Sequence, residues 1–377
     1  RPALMYVFMG HLRYADTKTH EDHVWAQERI DLLRAWVTRV DVERKELDVH
    51  GGAPLAFDRM LVATGSRPNR FGWPGQDLDG VQGLWGLPDL QRLHATCERT
   101  RRAVIVGGGL IGIELAEMLH SRGIHVTFLV RESSYWNNVL PREESAMLNE
   151  LIAAAGIELR LDTELAAIED DGAGRVAGVR TSDGERIPCE LVGLTAGVSP
   201  HLDVVRDSGL PTGRGVLVDD RLRTPVADVF AAGDCAEIVT PGAGPNRVQQ
   251  VWYTGKKQGR VAGENLAGGA VRYEPGVWYN SAKFLDLEYQ TYGVVPPDAG
   301  PADSLWWRHP RERVGLRLLH ADGVFTGVNA MGVRMRHEVC EGWILARRPL
   351  AHVLDHLDDA WFEPEFSRRH TSAIRAA

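Results

Sequence analysis

The sequence predicts an α/β protein built around parallel sheets, and this prediction depends on three observations. An apolar strand pattern leads through a glycine-rich turn into an apolar helical pattern over residues 101–119. A second apolar strand follows at residues 124–130, which is the spacing of a strand–helix–strand unit. Two further segments, residues 58–68 and 190–200, resemble each other in composition. Strands that alternate with helices and occur in duplicate favour two tandem units with parallel sheets.

The glycine-rich turn has the spacing GxGxxG, and each spaced glycine has its own expected role. Gly107 makes the tight turn, Gly109 lets the backbone approach a pyrophosphate, and Gly112 lets the helix pack on the strand. The amides at the start of the helix, where Leu110 and Ile111 lie, face the phosphates because the helix dipole favours negative charge there. The turn and its context therefore predict a dinucleotide site.

The duplication is visible within the chain itself. Residues 58–68 and 190–200 each end an apolar strand in a small-residue turn, with a proline three residues after its glycine. A meander of short strand patterns precedes each copy, at residues 35–57 and 165–188. We infer two tandem copies of one nucleotide-binding plan.

Only the second copy contains its glycine-rich turn, and the first copy would have one upstream of Arg1. A natural reading frame does not start with arginine. We therefore expect the first strand, phosphate turn and helix of the first copy, about 40 residues by analogy with the second, to precede this chain. Without them the meander and the strand at residues 59–63 would lose their packing partners.

A third pattern suggests a family. Residues 224–236 read as an apolar strand that ends in Gly233-Asp234. With the glycine-rich turn and the strand that ends in Thr64-Gly65, in this order, the chain resembles the FAD-dependent pyridine nucleotide-disulfide oxidoreductase superfamily over about residues 1–270. The resemblance implies an α/β fold of two tandem Rossmann-like dinucleotide-binding domains, with a discontinuous FAD domain and a smaller α+β C-terminal interface domain.

The implied domain boundaries are residues 1–88 for the first part of the FAD-binding domain, without its first βαβ turn, 89–221 for the NAD(P)-binding domain, 222–272 for the second part of the FAD-binding domain, and 273–377 for the C-terminal interface or dimerisation-like domain and tail. In the last of these, residues 287–295, 313–319 and 324–330 read as strands, and residues 335–347 as a helix. Residues 321–323 form a hairpin signal, and residues 241–246 and 296–302 are the most loop-like stretches.

The resemblance implies FAD and NAD(P)H as cofactors. Asp234 would hydrogen-bond the ribityl chain of FAD, and a helix that starts within residues 250–254 and runs through Leu266 would direct its N-terminal amides at the flavin pyrimidine edge. Glu114 matches a position near the nicotinamide carboxamide. The residues implied in cofactor binding are Thr64, Gly65, Arg67, Gly107, Gly109, Leu110, Ile111, Gly112, Glu114, Arg131, Gly197, Gly233, Asp234, Trp252 and Tyr253. Hydride transfer by proximity needs no protein acid or base, so no catalytic residue is assigned.

The second strand of the βαβ unit bears on the choice of nicotinamide. An acidic residue that binds the ribose hydroxyls is expected at Val130, and Arg131 follows directly. This arrangement resembles the NADPH-using members, in which the arginine faces the 2′-phosphate, although Glu132 lies beside it. The pattern favours NADPH over NADH, and the alternative interpretation of Arg131 is a solvated surface arginine.

The cysteines restrict the class of flavoenzyme. Cys97, Cys189, Cys235 and Cys340 form neither a CxxC nor a CxxxxC pair, the pattern through which disulfide reductases relay electrons. We interpret Cys235, beside the flavin motif, as a packing residue. The chain is thus most similar to ferredoxin or rubredoxin reductases, or to nitrite reductase flavoproteins. Scattered cysteines also favour a reducing compartment, which we expect to be the cytoplasm.

Composition excludes some partners and leaves others open. The net charge of −8 and the lack of a basic stripe disfavour nucleic acid, and the chain has no run of eighteen apolar residues. We expect a soluble redox protein or small molecule as electron acceptor, and the resemblance leaves open a homodimer through the C-terminal domain. Two alternatives stay open: a non-catalytic nucleotide-binding or scaffold protein that kept the fold, and a quinone-reducing NADH dehydrogenase-like enzyme. For the latter, residues 355–377 offer no clear membrane anchor.

Overall fold

The computed structural model describes residues 3–239, 247–363, 365 and 370–376. The loop predicted at residues 241–246 therefore lies outside the described residues. The chain divides into two compact units. The first unit takes its described residues from 1–12, 70–197 and 277–377, and the second unit from 13–69 and 198–276.

The α-helices of the described residues are α1 Leu4–Phe8, α2 Asp22–Gln27, α3 Leu87–Cys97, α4 Leu110–His120, α5 Arg142–Ala154, α6 Trp252–Leu266, α7 His337–Leu345, α8 Leu350–Asp355 and α9 Thr371–Arg375. The strands of the first two-thirds of the chain are β1 Val37–Asp41, β2 Glu46–Val49, β3 Leu55–Ala56, β4 Met60–Val62, β5 Ser66–Pro68, β6 Val81–Gln82, β7 Arg102–Val106, β8 His125–Leu129, β9 Glu158–Arg160, β10 Leu165–Asp170, β11 Val176–Thr181, β12 Arg186–Ile187, β13 Leu191–Leu194, β14 Val198–Pro200, β15 Val216–Val218, β16 Val229–Ala231, β17 Ala236–Ile238 and β18 Arg247–Val248. The remaining strands are β19 Tyr279–Phe284, β20 Leu287–Gly293, β21 Ser304–Arg308, β22 Gly315–Ala321 and β23 Val324–Met331.

The first unit contains a parallel sheet of five strands in the order β6-β13-β7-β8-β9. Strands β7 and β8 each bury four of their five residues, as expected for a parallel sheet covered on both faces. Helix α4 connects them and buries Ile113, Leu115 and Met118 in the main core. The strand–helix–strand unit predicted around the glycine-rich turn is therefore confirmed.

The first unit also contains an antiparallel sheet of five strands in the order β19-β20-β23-β22-β21. The β22–β23 turn lies at the predicted hairpin signal, with Asp322 at φ 50° and Gly323 at φ 75°. Such left-handed pairs suit the twist of a hairpin. The helix predicted at residues 335–347 is shorter, at His337–Leu345, and strand β21 was not predicted from the sequence.

Both predicted meanders form antiparallel three-stranded sheets, β1-β2-β3 in the second unit and β10-β11-β12 in the first. The duplication therefore extends to topology, because each meander precedes a strand that runs parallel to its neighbours: β4 beside β16 in the second unit and β13 beside β7 in the first. The second unit also pairs β5 antiparallel with β14.

The strand predicted from residue 224 is wrong in its first half. Strand β16 covers Val229–Ala231 only. The Thr224 hydroxyl accepts a hydrogen bond of 3.1 Å from the Val226 amide, and Asp228 adopts φ 63°, so the chain turns before the strand starts. Among the described residues, no helix is long and apolar enough to cross a membrane.

Candidate nucleotide-binding sites

The glycine-rich turn of the first unit is closed on the side of the sheet. Gly107 adopts φ 112°, and a Cβ there would lie 2.7 Å from the Thr195 carbonyl oxygen. A Cβ on Gly112 would lie 2.6 Å from the Gly107 carbonyl oxygen and 3.1 Å from the Phe128 ring. Side chains at these two positions would therefore force the helix away from the strand.

Gly109 differs from its neighbours because it faces open space. It is the N-cap residue of α4, and a Cβ there would meet no heavy atom within 4 Å. The first amides of a helix have no partner within the helix, and here they begin at Leu110. The structure thus leaves room beside the amides of Leu110 and Ile111, and this open backbone fits an anionic diphosphate.

Tyr135 packs against the buried side of the glycine-rich turn, and it was not predicted from the sequence. Its side chain is fully buried, and its hydroxyl donates a 2.7 Å hydrogen bond to the Gly109 carbonyl oxygen. The ring lies edge-on to Phe128, with 5.6 Å between the centroids. Burial and the nearby Glu114 carboxylate raise the pKa of Tyr135, so its hydroxyl stays protonated. No motif or periodicity marked this residue, because the contact depends on how α5 returns to the sheet.

The predicted ribose-binding position, Val130, directly follows β8. Val130 is buried, and its Cγ1 would lie 3.0 Å from a Cβ on Gly108. The side chain at the expected acidic position therefore packs against the turn. Arg131 is 73% exposed, and its Nε lies 2.8 Å from an oxygen of the Glu132 carboxylate. The structure brings Arg131 and Glu132 together at the surface next to the turn.

In the second unit, the predicted flavin residues gather at one edge of a parallel pair. Strands β4 and β16 run side by side, so their carboxyl ends meet. Gly65 and Gly233 follow them with φ values of 70° and 79°. Ser66 is 2% exposed and donates a 2.6 Å hydrogen bond to the Asp234 carboxylate. The structure thus joins the two sequence motifs at one point.

Two further predicted residues of the second unit, Thr64 and Arg67, bind the segment that follows β14. The Thr64 hydroxyl donates a 2.6 Å hydrogen bond to the His201 carbonyl oxygen, and the Arg67 guanidinium forms an ion pair with Asp203. Gly197, at φ 84°, ends the segment before β14. The side chains of Thr64 and Arg67 therefore hold the segment after β14 in place, and any role in cofactor binding stays a prediction.

Helix α6 starts at Trp252, within the predicted start at residues 250–254, and packs against the turn at Gly233. The Gly233 amide donates a 2.7 Å hydrogen bond to the buried side-chain oxygen of Gln258. Trp252 is 56% exposed and contacts the ring of Tyr253 edge-on, with 5.4 Å between the centroids. The helix thus presents an exposed aromatic side chain at its first turn.

All four cysteines are unpaired. Cys235 is fully buried, and its Sγ lies 3.4 Å from the carbonyl oxygens of Val62 and Ala232, which confirms its packing role. Burial raises the pKa of Cys97 to about 11 and that of Cys340 to about 12. Burial and Glu190 likewise raise the pKa of Cys189 to about 12. At neutral pH these three thiols stay protonated and are poor nucleophiles.

A parallel sheet with a glycine-rich turn, followed by a second unit with its own turns at the ends of parallel strands, defines a protein of the dinucleotide-binding α/β class. The chain matches the pyridine nucleotide-disulphide oxidoreductase family over residues 10–259, and it belongs to this family. The family and the fold class predicted from the sequence are both confirmed.

Curated relatives include reductase components of oxygenase systems. The chain is 36% identical over 217 residues to the biphenyl dioxygenase system ferredoxin–NAD(+) reductase component of Paraburkholderia xenovorans, covering 57% of this chain and 53% of the relative. It is 29% identical over 249 residues to rhodocoxin reductase of Rhodococcus erythropolis, covering 66% and 58%. The chain thus spans little more than half the length of these relatives.

Solved structures confirm the fold. A ferredoxin reductase from Rhodopseudomonas palustris superposes with a TM-score of 0.80 at 24% identity, covering 88% of this chain and 81% of that one. The covalent putidaredoxin reductase–putidaredoxin complex also gives 0.80, at 21% identity, covering 92% and 84%.

Proposed function

We propose that the protein is an FAD-dependent NAD(P)H oxidoreductase that passes electrons to a small redox protein of the ferredoxin type, without a protein disulfide. The observation that carries the proposal is the open backbone at Gly109, at the start of α4, in a chain whose family is defined by pyridine nucleotides. The name of the relative from Paraburkholderia xenovorans, a ferredoxin–NAD(+) reductase component, supplies the acceptor class.

In this proposal the second unit binds FAD. Asp234, held by Ser66, would accept hydrogen bonds from the ribityl chain, and Gly65 and Gly233 would keep the backbone free of side chains at the same edge. The N-terminal amides of α6, which begin at Trp252, would favour negative charge on the flavin. When bound, FAD supplies a two-electron acceptor for hydride that can release electrons singly.

Residues 70–197 of the first unit would bind the pyridine nucleotide. Gly107 and Gly112 keep α4 close to the sheet, and the amides of Leu110 and Ile111 bind the pyrophosphate at the open side of Gly109. Glu114, half-buried on α4, would orient the nicotinamide end. This scheme differs from the four domain boundaries of the sequence analysis, because it groups residues 70–88 with the pyridine nucleotide unit and residues 198–221 with the flavin unit.

We further propose NADPH as the preferred donor. Val130 leaves no acid to bind the ribose hydroxyls at the expected position, and Arg131 supplies an exposed guanidinium for a 2′-phosphate. Unpaired cysteines support a reducing compartment such as the cytoplasm.

The test is a visible absorption spectrum of the purified full-length protein, recorded before and after addition of FAD and then after anaerobic addition of NADPH or NADH. We expect a retained flavin spectrum that bleaches on addition of NADPH. The variant Asp234→Asn should lose FAD affinity, whereas Asp228→Asn, at an exposed carboxylate paired with Lys45 in the same unit, should not. A full-length wild-type protein that neither retains FAD through purification nor binds added FAD, or that binds FAD without its reduction by either nucleotide, would overturn the proposal.

A further inference from the structure

Tyr135 is fixed in space from both of its ends. Its amide donates a 3.0 Å hydrogen bond to the side-chain oxygen of Asn149, and its carbonyl oxygen accepts a 2.7 Å hydrogen bond from the Ser145 hydroxyl. Both partners lie on α5, and Ser145 is fully buried. The phenol therefore reaches the glycine-rich turn from a backbone that α5 holds in place.

The Tyr135 hydroxyl contacts the turn at the Gly109 carbonyl oxygen, where the hydrogen bonds of α4 begin. The Gly109 carbonyl oxygen accepts the first bonds of α4, from Gly112 at 3.1 Å and from Ile113 at 3.3 Å, in addition to the bond from Tyr135. This carbonyl and the amide of Leu110 belong to one planar trans peptide, so they point in opposite directions. A hydroxyl that holds the carbonyl on the buried side also directs the Leu110 amide to the other side.

The Cα of Gly109, next to that peptide, faces open space. A Cβ on Gly109 would meet no heavy atom within 4 Å, whereas the closed side of the turn is filled by Val130 and Tyr135 around Gly108. An amide whose direction is already fixed loses less entropy when a ligand binds, so pre-orientation shows as affinity.

We propose that Tyr135 is a positioning residue of the pyridine nucleotide site: its hydroxyl fixes the Gly109–Leu110 peptide so that the Leu110 amide faces the pyrophosphate. The inference rests on the proposed function, because it assumes that the turn binds a dinucleotide. Tyr135 itself is fully buried, so it would act through the turn and not by direct contact with the nucleotide.

The test compares Tyr135→Phe with Tyr289→Phe in the full-length protein. Both changes remove one buried hydroxyl from the first unit, since Tyr289 is 4% exposed and its hydroxyl donates to Asn329 at 3.2 Å. Dissociation constants for NADH and NADPH are measured by fluorescence titration, together with FAD content and steady-state kinetics. We expect Tyr135→Phe to raise both dissociation constants and KM about three- to tenfold, with FAD content and kcat unchanged. Tyr289→Phe should leave the nucleotide affinities at the wild-type level.

Several results would overturn the inference. Unchanged nucleotide affinity in Tyr135→Phe, or an equal loss in Tyr289→Phe, would show that the hydroxyl acts on stability alone. If Tyr135→Phe fails to fold, Asn149→Ala loosens the Tyr135 backbone and keeps the phenol, and wild-type affinity in that variant would also contradict the inference. A wild-type chain that binds neither nucleotide would overturn the proposed function along with it, which distinguishes the two failures.

Discussion

Ser66 donates a 2.6 Å hydrogen bond to the carboxylate of Asp234, across 168 residues of sequence. Each residue follows a strand of the β4–β16 parallel pair, and the register that opposes Val62 to Ala231 brings the two turns together. The Asp234 carboxylate therefore has one of its oxygens fixed by a buried hydroxyl. This pair couples the two halves of the second unit, which are far apart in the chain.

Removal of the Ser66 hydroxyl should weaken FAD binding. In Ser66→Ala the Asp234 carboxylate loses its buried donor and becomes free to rotate, so we expect the dissociation constant for FAD to rise about three- to tenfold. Titration of the apoprotein with FAD measures it. Ser208→Ala is the control, because Ser208 is a buried serine of the same unit that donates to the Val205 carbonyl oxygen at 2.6 Å. Equal FAD affinity in both variants would contradict the role of Ser66.

Arg131 should discriminate between the two nicotinamide nucleotides. We expect Arg131→Ala to raise the dissociation constant for NADPH about tenfold or more and to leave that for NADH nearly unchanged, since only NADPH carries a 2′-phosphate. Glu132→Gln should tighten NADPH binding, because it frees the guanidinium of Arg131 from its partner. The control is Arg180→Ala, an exposed arginine that is also paired with a glutamate in the first unit. Equal losses for NADH and NADPH in Arg131→Ala would refute the assignment.

Substitution by alanine should destabilise the protein at Gly112 and stabilise it at Gly263. A Cβ on Gly112 would lie 2.6 Å from backbone, so Gly112→Ala should lower the free energy of unfolding by about 1–3 kcal/mol. Gly263 lies in α6, and a Cβ there would meet nothing within 4 Å. Gly263→Ala should therefore raise it by about 0.5–1 kcal/mol, because alanine restricts the unfolded chain. Urea denaturation measures the free energy of unfolding of both variants. A Gly112→Ala variant as stable as the wild type would contradict the close packing of α4.

Arg317 forms the most buried ion pair of the described residues. Its side chain is 2% exposed, and its Nε lies 2.7 Å from the fully buried carboxylate of Glu144, which joins β22 to α5. Arg317→Met should lower the free energy of unfolding by about 3–5 kcal/mol, since it leaves Glu144 buried without its cation. The exposed pair of Arg308 and Glu150 joins the same sheet to the same helix. For Arg308→Met we expect a loss below about 1 kcal/mol in the same denaturation experiment, and equal losses in both variants would be evidence against this account.

The parallel strand β7, helix α4, helix α6 and both meanders could be predicted from the sequence. Each depends on information that is local along the chain, such as the period of apolar residues, a glycine that permits positive φ, or a turn dipeptide. The strand before Asp228 was overpredicted for the same reason, because an apolar run was read without the turn that the Thr224 hydroxyl supports.

The sequence by itself therefore determined the class of fold, the position of the glycine-rich turn and the family. Only the tertiary structure decided which side chains support that chemistry: Ser66 under Asp234, Tyr135 under Gly109, and Arg317 against Glu144. These partners are 168, 26 and 173 residues apart. The strand register and the packing of α5 bring these partners together. A periodic pattern in a single sequence does not show which distant side chains come into contact.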